Sequence, residues 1–424
     1  MHCVLASVGS LGDVHPFIAI GQALQARGHG VTLVCNDDFA AAVQAAGLAH
    51  AGAGAGIDLA AATASPNLWH PIKGLGVFWK HMLAPAIEPT FRHIERLAAR
   101  GPCVVVAPPV MFGARFARDR LGVPLVSAYT APAVLRTDGA PVTMAHWQLP
   151  RGTPRALVRL AWQALDRHKL HPMAARPLAE LAQRLGAPPP PAQQSIFGEW
   201  MHSPDGGVTL FPEWFAPTRP GWPAGLRHGG FPLYHGDAAA PLPAAVQAFL
   251  EGGEPPVVFM PGSAMRHAGP FFAAAVEACT RLGRRAVLLT PDAAQLPASL
   301  PPQVIHAPYL PFATLLPRAA ALVHHGGIGS CAQAMQAGVP QVIMPMAHDQ
   351  FDNAACVQRL GLGAALRPHR FTADRLARLL ARLLAAPPRP WQAARARLAR
   401  PALPHICEAI EGLAGLDAAA TARC

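Results

Sequence analysis

Strand-length apolar runs alternate with helically spaced stretches from the first residues of the chain. "CVLASV" (Cys3–Val8) ends at a glycine, and "PFIAIGQALQARGH" then carries apolar residues at helical spacing and stops at Gly28. "VTLVCN" and "DDFAAAVQAAGL" repeat the pair, and "PCVVVAPP" and "VPLVSAY" add two more apolar runs. Strand, helix, strand, helix predicts βαβ units on a parallel sheet. The rhythm restarts in the second half. "PPVVFMPGS", "RAVLLTP", "AALVHHGG" and "PQVIMP" read as strands, and "FFAAAVEACTRLG", "SCAQAMQAG" and "DQFDNAACVQRLG" as the helices between and after them.

Residues 145–200 break this alternation. "PRALVRLAWQALDRHKL" and "PLAELAQRLG" are amphipathic helices with arginines on the polar face, closed by the proline run Pro188–Pro191. The expected organisation is an α/β chain with two Rossmann-like βα domains. The first covers 1–218 with a helical insert near 145–200, the second covers 237–395, and a helical segment spans 396–424. Open sheets of this kind place ligands at the carboxyl ends of their strands, so a cleft between the domains is the expected active site.

Composition agrees with this picture. A chain of 424 residues is too long for one ordinary core, and 51% apolar with 14% charged residues excludes disorder. The formal charge of +11 admits nucleic acid, an anionic membrane or anionic ligands as partners. There is no basic tail and no strand of RNA-recognition type, so no nucleic-acid partner is expected. Arg151, Arg155, Arg159, Arg167 and Lys169 form either a solvated helix face or a contact with an anionic membrane or an acceptor carboxylate. The eight cysteines form no CxxC pair and read as reduced core residues. With no signal peptide and no apolar run of about 18 residues, the expected location is cytoplasmic, with peripheral contact at the inner face of the cytoplasmic membrane allowed.

The chemistry concentrates in "LVHHGGIGSCAQAMQAGVPQVIMPMAHDQFDNA" (Leu322–Ala354). Glycines between a strand and a helix let backbone approach a ligand, and a helix N-terminus favours negative charge. His325 and Ser330 add donors, which suits a diphosphate. "PGS" (Pro261–Ser263) offers a second phosphate-facing turn, and Ser10 with Gly12 a third. The dinucleotide fingerprint GxGxxG is missing after the first strand, and no GxxxxGK[ST] is present.

The pattern H-x-G-x-x-S, then GVPQ, then P-x-x-x-DQ-x-x-NA resembles the nucleotide-sugar motif of the GT-B glycosyltransferases of family 1. "GSLGDVHP" resembles the bacterial branch of that family. "WMHSPDGGVTLFPEWFAPTRPGWP" and "GGFPLYHG" resemble its subgroup of rhamnosyltransferases from rhamnolipid synthesis. The resemblance implies an inverting transfer of L-rhamnose from dTDP-L-rhamnose to the hydroxyl of a 3-(3-hydroxyalkanoyloxy)alkanoate. A different nucleotide sugar and apolar acceptor, a GT-B isomerase, and a non-catalytic nucleotide-sugar-binding subunit are the alternatives. An acceptor-synthase partner is a further expectation.

The resemblance also implies roles. Asp13, three residues before Pro16, is the expected general base, with capping of a helix starting near Pro16 as the competing role. His325, Gly327, Gly329 and Ser330 should hold the diphosphate with Ser263 opposite, so no metal and no cofactor are expected. Asp349 and Gln350 should bind sugar hydroxyls; helix capping by Asp349 is the competing role. "YLPF" matches the base site, with Tyr309 stacking on a pyrimidine and Phe312 in the place of a glutamine. Gln333 stands where uridine-type enzymes of the family carry a glutamate on the ribose, which fits a deoxyribose. Trp69, Phe78 and Trp79, in an aromatic stretch interrupted by Gly and Pro, form either an acyl-chain pocket or ordinary core.

Overall fold

The computed structural model describes residues 1–70, 73–137, 143–144, 147–148, 152–236 and 241–415. Pro71 and Ile72 of the aromatic stretch, Arg151 and Cys424 therefore lie outside the described residues.

The chain forms two compact units. One is Met1–Tyr234 together with the segment from Ala402 onward, and the other is His235–Pro401. In the first unit β1 (His2–Ala6), β2 (Gly30–Cys35), β3 (Ala49–Gly52), β4 (Cys103–Ala107) and β5 (Leu125–Tyr129) are followed by a small hairpin, β6 (Thr143–Met144) and β7 (Trp147–Gln148), and then by β8 (Gly207–Thr209) and β9 (Leu226–His228). The main sheet has the order β3-β2-β1-β4-β5-β8-β9, and every neighbouring pair is parallel.

Such a sheet is covered on both faces, and the apolar runs of the sequence reflect that. Alternate residues of β1 serve opposite cores. Val4 and Ala6 face the layer containing the Ala84–Ala98 helix and the insert, while Cys3 and Leu5 face the layer containing the Leu11–Ala26 helix. The insert helices Arg155–Leu165 and His171–Leu185 are joined by a π turn at Asp166–Leu170. Leu170, Ala174, Leu178 and Leu181 bury them in the first of these cores.

The C-terminal segment does not stand apart, nor does it finish the second domain. Its helix Leu403–Leu413 places Ile406, Cys407, Ala409 and Ile410 in the same core as Leu5 and Phe17. Glu411 accepts from Arg27 at 2.6 Å and pairs with His29 at 2.8 Å. The last turn of this helix is thus stapled to the end of the first helix.

The second unit contains β10 (Val257–Met260), β11 (Ala286–Leu289), β12 (Val304–Ala307), β13 (Ala321–His324), β14 (Gln341–Ile343) and β15 (Gly363–Ala365). They form a parallel sheet in the order β12-β11-β10-β13-β14-β15. Strand order reverses between β10 and β13, and Met260 lies opposite His324 in register. The loops leaving these two strands therefore emerge side by side, where a doubly wound sheet binds ligands. Among the described residues no helix is long and apolar enough to cross a membrane. Seven cysteines are buried and free.

Candidate active site

In the first unit the chain leaves β1, turns at Gly9 and enters the Leu11–Ala26 helix with Ser10 as N-cap. This helix begins five residues before Pro16, which lies inside it. Asp13 is therefore not the N-cap, the competing role the sequence left open for it. It occupies the third helical position, and its carboxylate reaches back to accept from the Ser10 N–H at 2.7 Å and the Ser10 hydroxyl at 3.0 Å. This is the return arm of a capping box. Ser10, expected on the nucleotide sugar, directs both donors to Asp13 instead. Gly12 sits exposed in the same turn.

Asp13 is held firmly. A Cβ on Gly9 would fall 2.2 Å from its carboxylate, so only glycine leaves the oxygen room. The Gly9 peptide is gripped in turn by the Asn36 amide, which donates to the Gly9 carbonyl at 3.1 Å. Burial raises the Asp13 pKa, and the two Ser10 hydrogen bonds oppose that rise. A carboxylate poised in this way is a better proton acceptor than a solvated one. His15 packs against Tyr234 with ring centroids 5.0 Å apart, and burial lowers its pKa. Those contacts are those of a packing histidine.

In the second unit His324 ends β13 as a core residue. Its Nε2 meets Gln341 Oε1 at 3.1 Å and its Nδ1 accepts from the Gly326 N–H at 3.2 Å. Burial pushes its pKa down to about 3. His325 is different. Its ring lies between two glycines: a Cβ on Gly262 would come within 3.2 Å of it, and one on Gly327 within 2.6 Å of Nε2. Gly262 has φ +117, a conformation that favours glycine. The His325 Nδ1 is closed to solvent and has no hydrogen-bond partner among the described residues. Burial lowers its pKa to about 4, which favours the neutral imidazole. Of the two histidines, His325 is the one with a ring nitrogen that has no hydrogen-bond partner among the described residues.

Gly327 caps the Ile328–Ala337 helix. Gly329 is exposed and Ser330 half-buried in its first turn, and the space beside Gly329 is open. The N–H groups of that first turn and the His325 ring make an end whose polarity suits an anion. Ser263 is exposed on the neighbouring turn after β10. Gln333 is half-buried one turn along the same helix. Tyr309, 69% exposed, lies beyond the end of β12. Phe312 begins the Phe312–Leu315 helix and packs against the core below β11 and β13.

Asp349 stands at the N-cap of the Gln350–Arg359 helix but its side chain caps nothing. It accepts from Asn353 Nδ2 at 2.7 Å, and the same nitrogen donates to the Gly326 carbonyl at 3.0 Å. Asn353 thus ties the proposed sugar carboxylate to the diphosphate loop. The motif contained this residue, but no role for it was read from the sequence. Gln350 is 3% exposed, and its carbonyl oxygen accepts from Met346 and Ala347 N–H at 2.8 and 3.1 Å. Only its amide nitrogen remains to meet a ligand. His348, immediately before the pair, has φ 56, an uncommon backbone state that clusters at functional sites.

Of the three aromatic residues expected at an acyl pocket, Trp79 is a core side chain. It is 7% exposed and meets Phe112 and Phe197 edge-on at 5.9 and 6.2 Å. Phe78 packs partly against that core, and Trp69 is half-buried.

Comparison with known proteins agrees with this arrangement. Residues 3–120 match the glycosyltransferase family 28 N-terminal domain, and residues 277–414 match the C-terminal domain of erythromycin biosynthesis protein CIII-like proteins. O-mycaminosyltylonolide 6-deoxyallosyltransferase of Streptomyces fradiae is 31% identical, over 86% of this chain and 85% of that protein. The glycotransferase of kitacinnamycin superposes with a TM-score of 0.71 at 22% identity, covering 97% of this chain and 98% of its own. The spinosyn rhamnosyltransferase SpnG, solved with thymidine diphosphate, gives 0.61 at 18% identity, covering 99% and 100%. The family matches and the Streptomyces fradiae relative, together with the two parallel-sheet domains, make the chain a nucleotide-sugar transferase. The chain belongs to the GT-B glycosyltransferases.

Proposed function

We propose that the chain transfers L-rhamnose from dTDP-L-rhamnose to the hydroxyl of a 3-(3-hydroxyalkanoyloxy)alkanoate, with inversion, giving a mono-rhamnolipid. The observation that carries the sugar and acceptor is the run "WMHSPDGGVTLFPEWFAPTRPGWP" with "GGFPLYHG", which resembles the rhamnolipid subgroup. Gln333 in place of an acid supports a deoxyribose nucleotide, and a relative of the same fold binds thymidine diphosphate.

In this reading the acceptor oxygen attacks the anomeric carbon while Asp13 takes its proton, and the C–O bond to the diphosphate breaks. The leaving charge is met by the His325 N–H, the N-terminal turn at Gly327–Ser330 and Ser263. Asp349, oriented by Asn353, and the Gln350 amide nitrogen hold sugar hydroxyls. Trp69 and Phe78 are the aromatic residues left for acyl chains. These fixed donors replace a cation, so turnover persists in EDTA.

The test is dTDP release from dTDP-L-rhamnose with and without the hydroxyacyl acceptor, with products weighed by mass spectrometry across a panel of dTDP- and UDP-sugars. Acceptor-dependent release with a rhamnosylated lipid supports the proposal. Better transfer to water-soluble alcohols would end the lipid reading, and release or interconversion of the sugar without acceptor would end the transferase reading.

A further inference from the structure

The Arg155–Leu165 helix leaves large aliphatic side chains in water. Leu157 and Leu160 are 53% and 57% exposed, the only large hydrophobics so exposed among the described residues besides Met1 and Tyr309. At about 100° per residue, Ala156, Leu160, Ala164 and Leu157 fall on one continuous arc, and all four are exposed. Val158, Trp162 and Leu165 take the opposite side, towards the domain.

The charges around this arc have one sign. Arg155, Arg159, Arg167 and Lys169 are all exposed. The one acid between Gly152 and His171 is Asp166, and it is turned inward. It accepts from Arg136 at 2.8 and 2.9 Å and from the Ser195 hydroxyl at 2.6 Å. Arg136 in turn stacks on Trp162, 4.4 Å from its ring centre. The same network fixes the helix on the domain and removes the negative charge from its outer face.

We propose that this face docks the protein on an anionic phospholipid surface, with Leu157 and Leu160 entering the headgroup boundary and Arg155, Arg167 and Lys169 meeting lipid phosphates. Cations flanking a narrow aliphatic arc suit a lipid interface. A protein partner of comparable strength would favour an aromatic anchor, and the aromatic ring of this helix, Trp162, is covered by Arg136. With no helix long enough to span a bilayer among the described residues, docking of this kind is peripheral and reversible. It would hold the first domain where an amphiphilic acceptor collects; that link rests on the lipid-acceptor reading above, whereas the docking itself does not.

The experiment is co-sedimentation of the full chain with vesicles of phosphatidylglycerol and phosphatidylcholine, against phosphatidylcholine alone. Binding to the anionic vesicles, weakened by added NaCl, is expected. The pair Leu157→Ser/Leu160→Ser and, separately, Arg155→Gln/Arg167→Gln/Lys169→Gln should each lower the partition coefficient roughly tenfold or more. Transfer to a short, fully dissolved acceptor should be unchanged in both. Equal binding to both vesicle types, undiminished pelleting of either variant, or a dimer that the leucine pair dissociates would overturn the proposal. Loss of rhamnosyl transfer with vesicle binding intact would count against the acceptor reading alone.

Discussion

Two residues carry most of the chemistry in the proposed reaction, and burial moves their pKa values in opposite directions. Asp13 has its pKa raised by burial and restrained by Ser10. Asp13→Asn should lower turnover on the order of 10² to 10⁴ and leave dTDP affinity nearly unchanged, as isothermal titration would show. A carboxylate with a raised folded-state pKa lowers stability once pH exceeds its unfolded value, so the folded protein favours the neutral form. The Asp13→Asn protein should therefore melt no lower than wild type at pH 7. Ser10→Ala removes a hydrogen bond that favours the charged carboxylate, so the acidic limb of the kcat/KM profile should move to higher pH. His325 behaves in the opposite way: burial lowers its pKa to about 4, and it stays neutral from pH 5 to 8. Affinity for a dTDP-sugar, whose phosphates keep their charge over that range, should show no rise below pH 6.5. His325→Ala should weaken it by roughly ten- to a hundredfold, the worth of about 1.5–3 kcal/mol for a hydrogen bond to a charged group. A step near pH 6.5 that the substitution abolishes would show a cationic imidazole instead.

At the level of elements, the strands on either side of the switch point were legible because both faces of a parallel sheet are buried and their runs are uniformly apolar. β1, β10 and β13 are of this kind. The edge strands β3, β9 and β15, made of "AHAG", "LRH" and "GAA", carry too little apolar character to separate them from loops. The diphosphate turn was legible from its glycines. The Gly262 wall that completes it could be found only through "PGS", since the pairing of Met260 with His324 is a long-range fact. The first helix starts earlier than its apolar spacing suggests: Leu11–Ala26 continues through Pro16, and Ser10 is its N-cap. The part least visible in sequence is Asn353, one turn into its helix, whose amide joins the Gly326 carbonyl to Asp349. Asn353→Ala removes one donor from the Gly326 carbonyl and one from Asp349, at a cost of about 0.5–1.5 kcal/mol for the neutral bond and about 1.5–3 kcal/mol for the charged one. The expected result is a lower melting temperature together with a raised KM for the nucleotide sugar; Asn353→Asp should not restore it, because a carboxylate cannot donate. Kinetics indistinguishable from wild type would leave Asn353 as packing alone.

For the molecule as a whole, the decisive feature is the return of the C-terminal helix to the first domain. Residues near 410 and near 20 share one core although almost the whole chain lies between them. Ile406, Cys407 and Ile410 are fully buried against β1, β4 and the Leu11–Ala26 helix, and Glu411 closes the contact with Arg27 and His29. Three such side chains contribute roughly 1.5–3 kcal/mol each for the larger ones, a large part of a domain's net stability of about 5–15 kcal/mol. A chain ending at Pro401 keeps the whole second unit and every residue of the proposed site. It should nevertheless lose Asp13-dependent transfer, because the face of the sheet behind the Asp13 turn becomes exposed. Calorimetry of the truncated chain should show the transition of one unit lowered or lost and the other retained, with dTDP still raising the retained one. Glu411→Gln, which removes the two-pronged pair with Arg27 and weakens the contact with His29, should cost about 1 kcal/mol, well below the loss of the whole helix. A truncated chain that melts and turns over like the full one would show that the helix merely rests on the first domain.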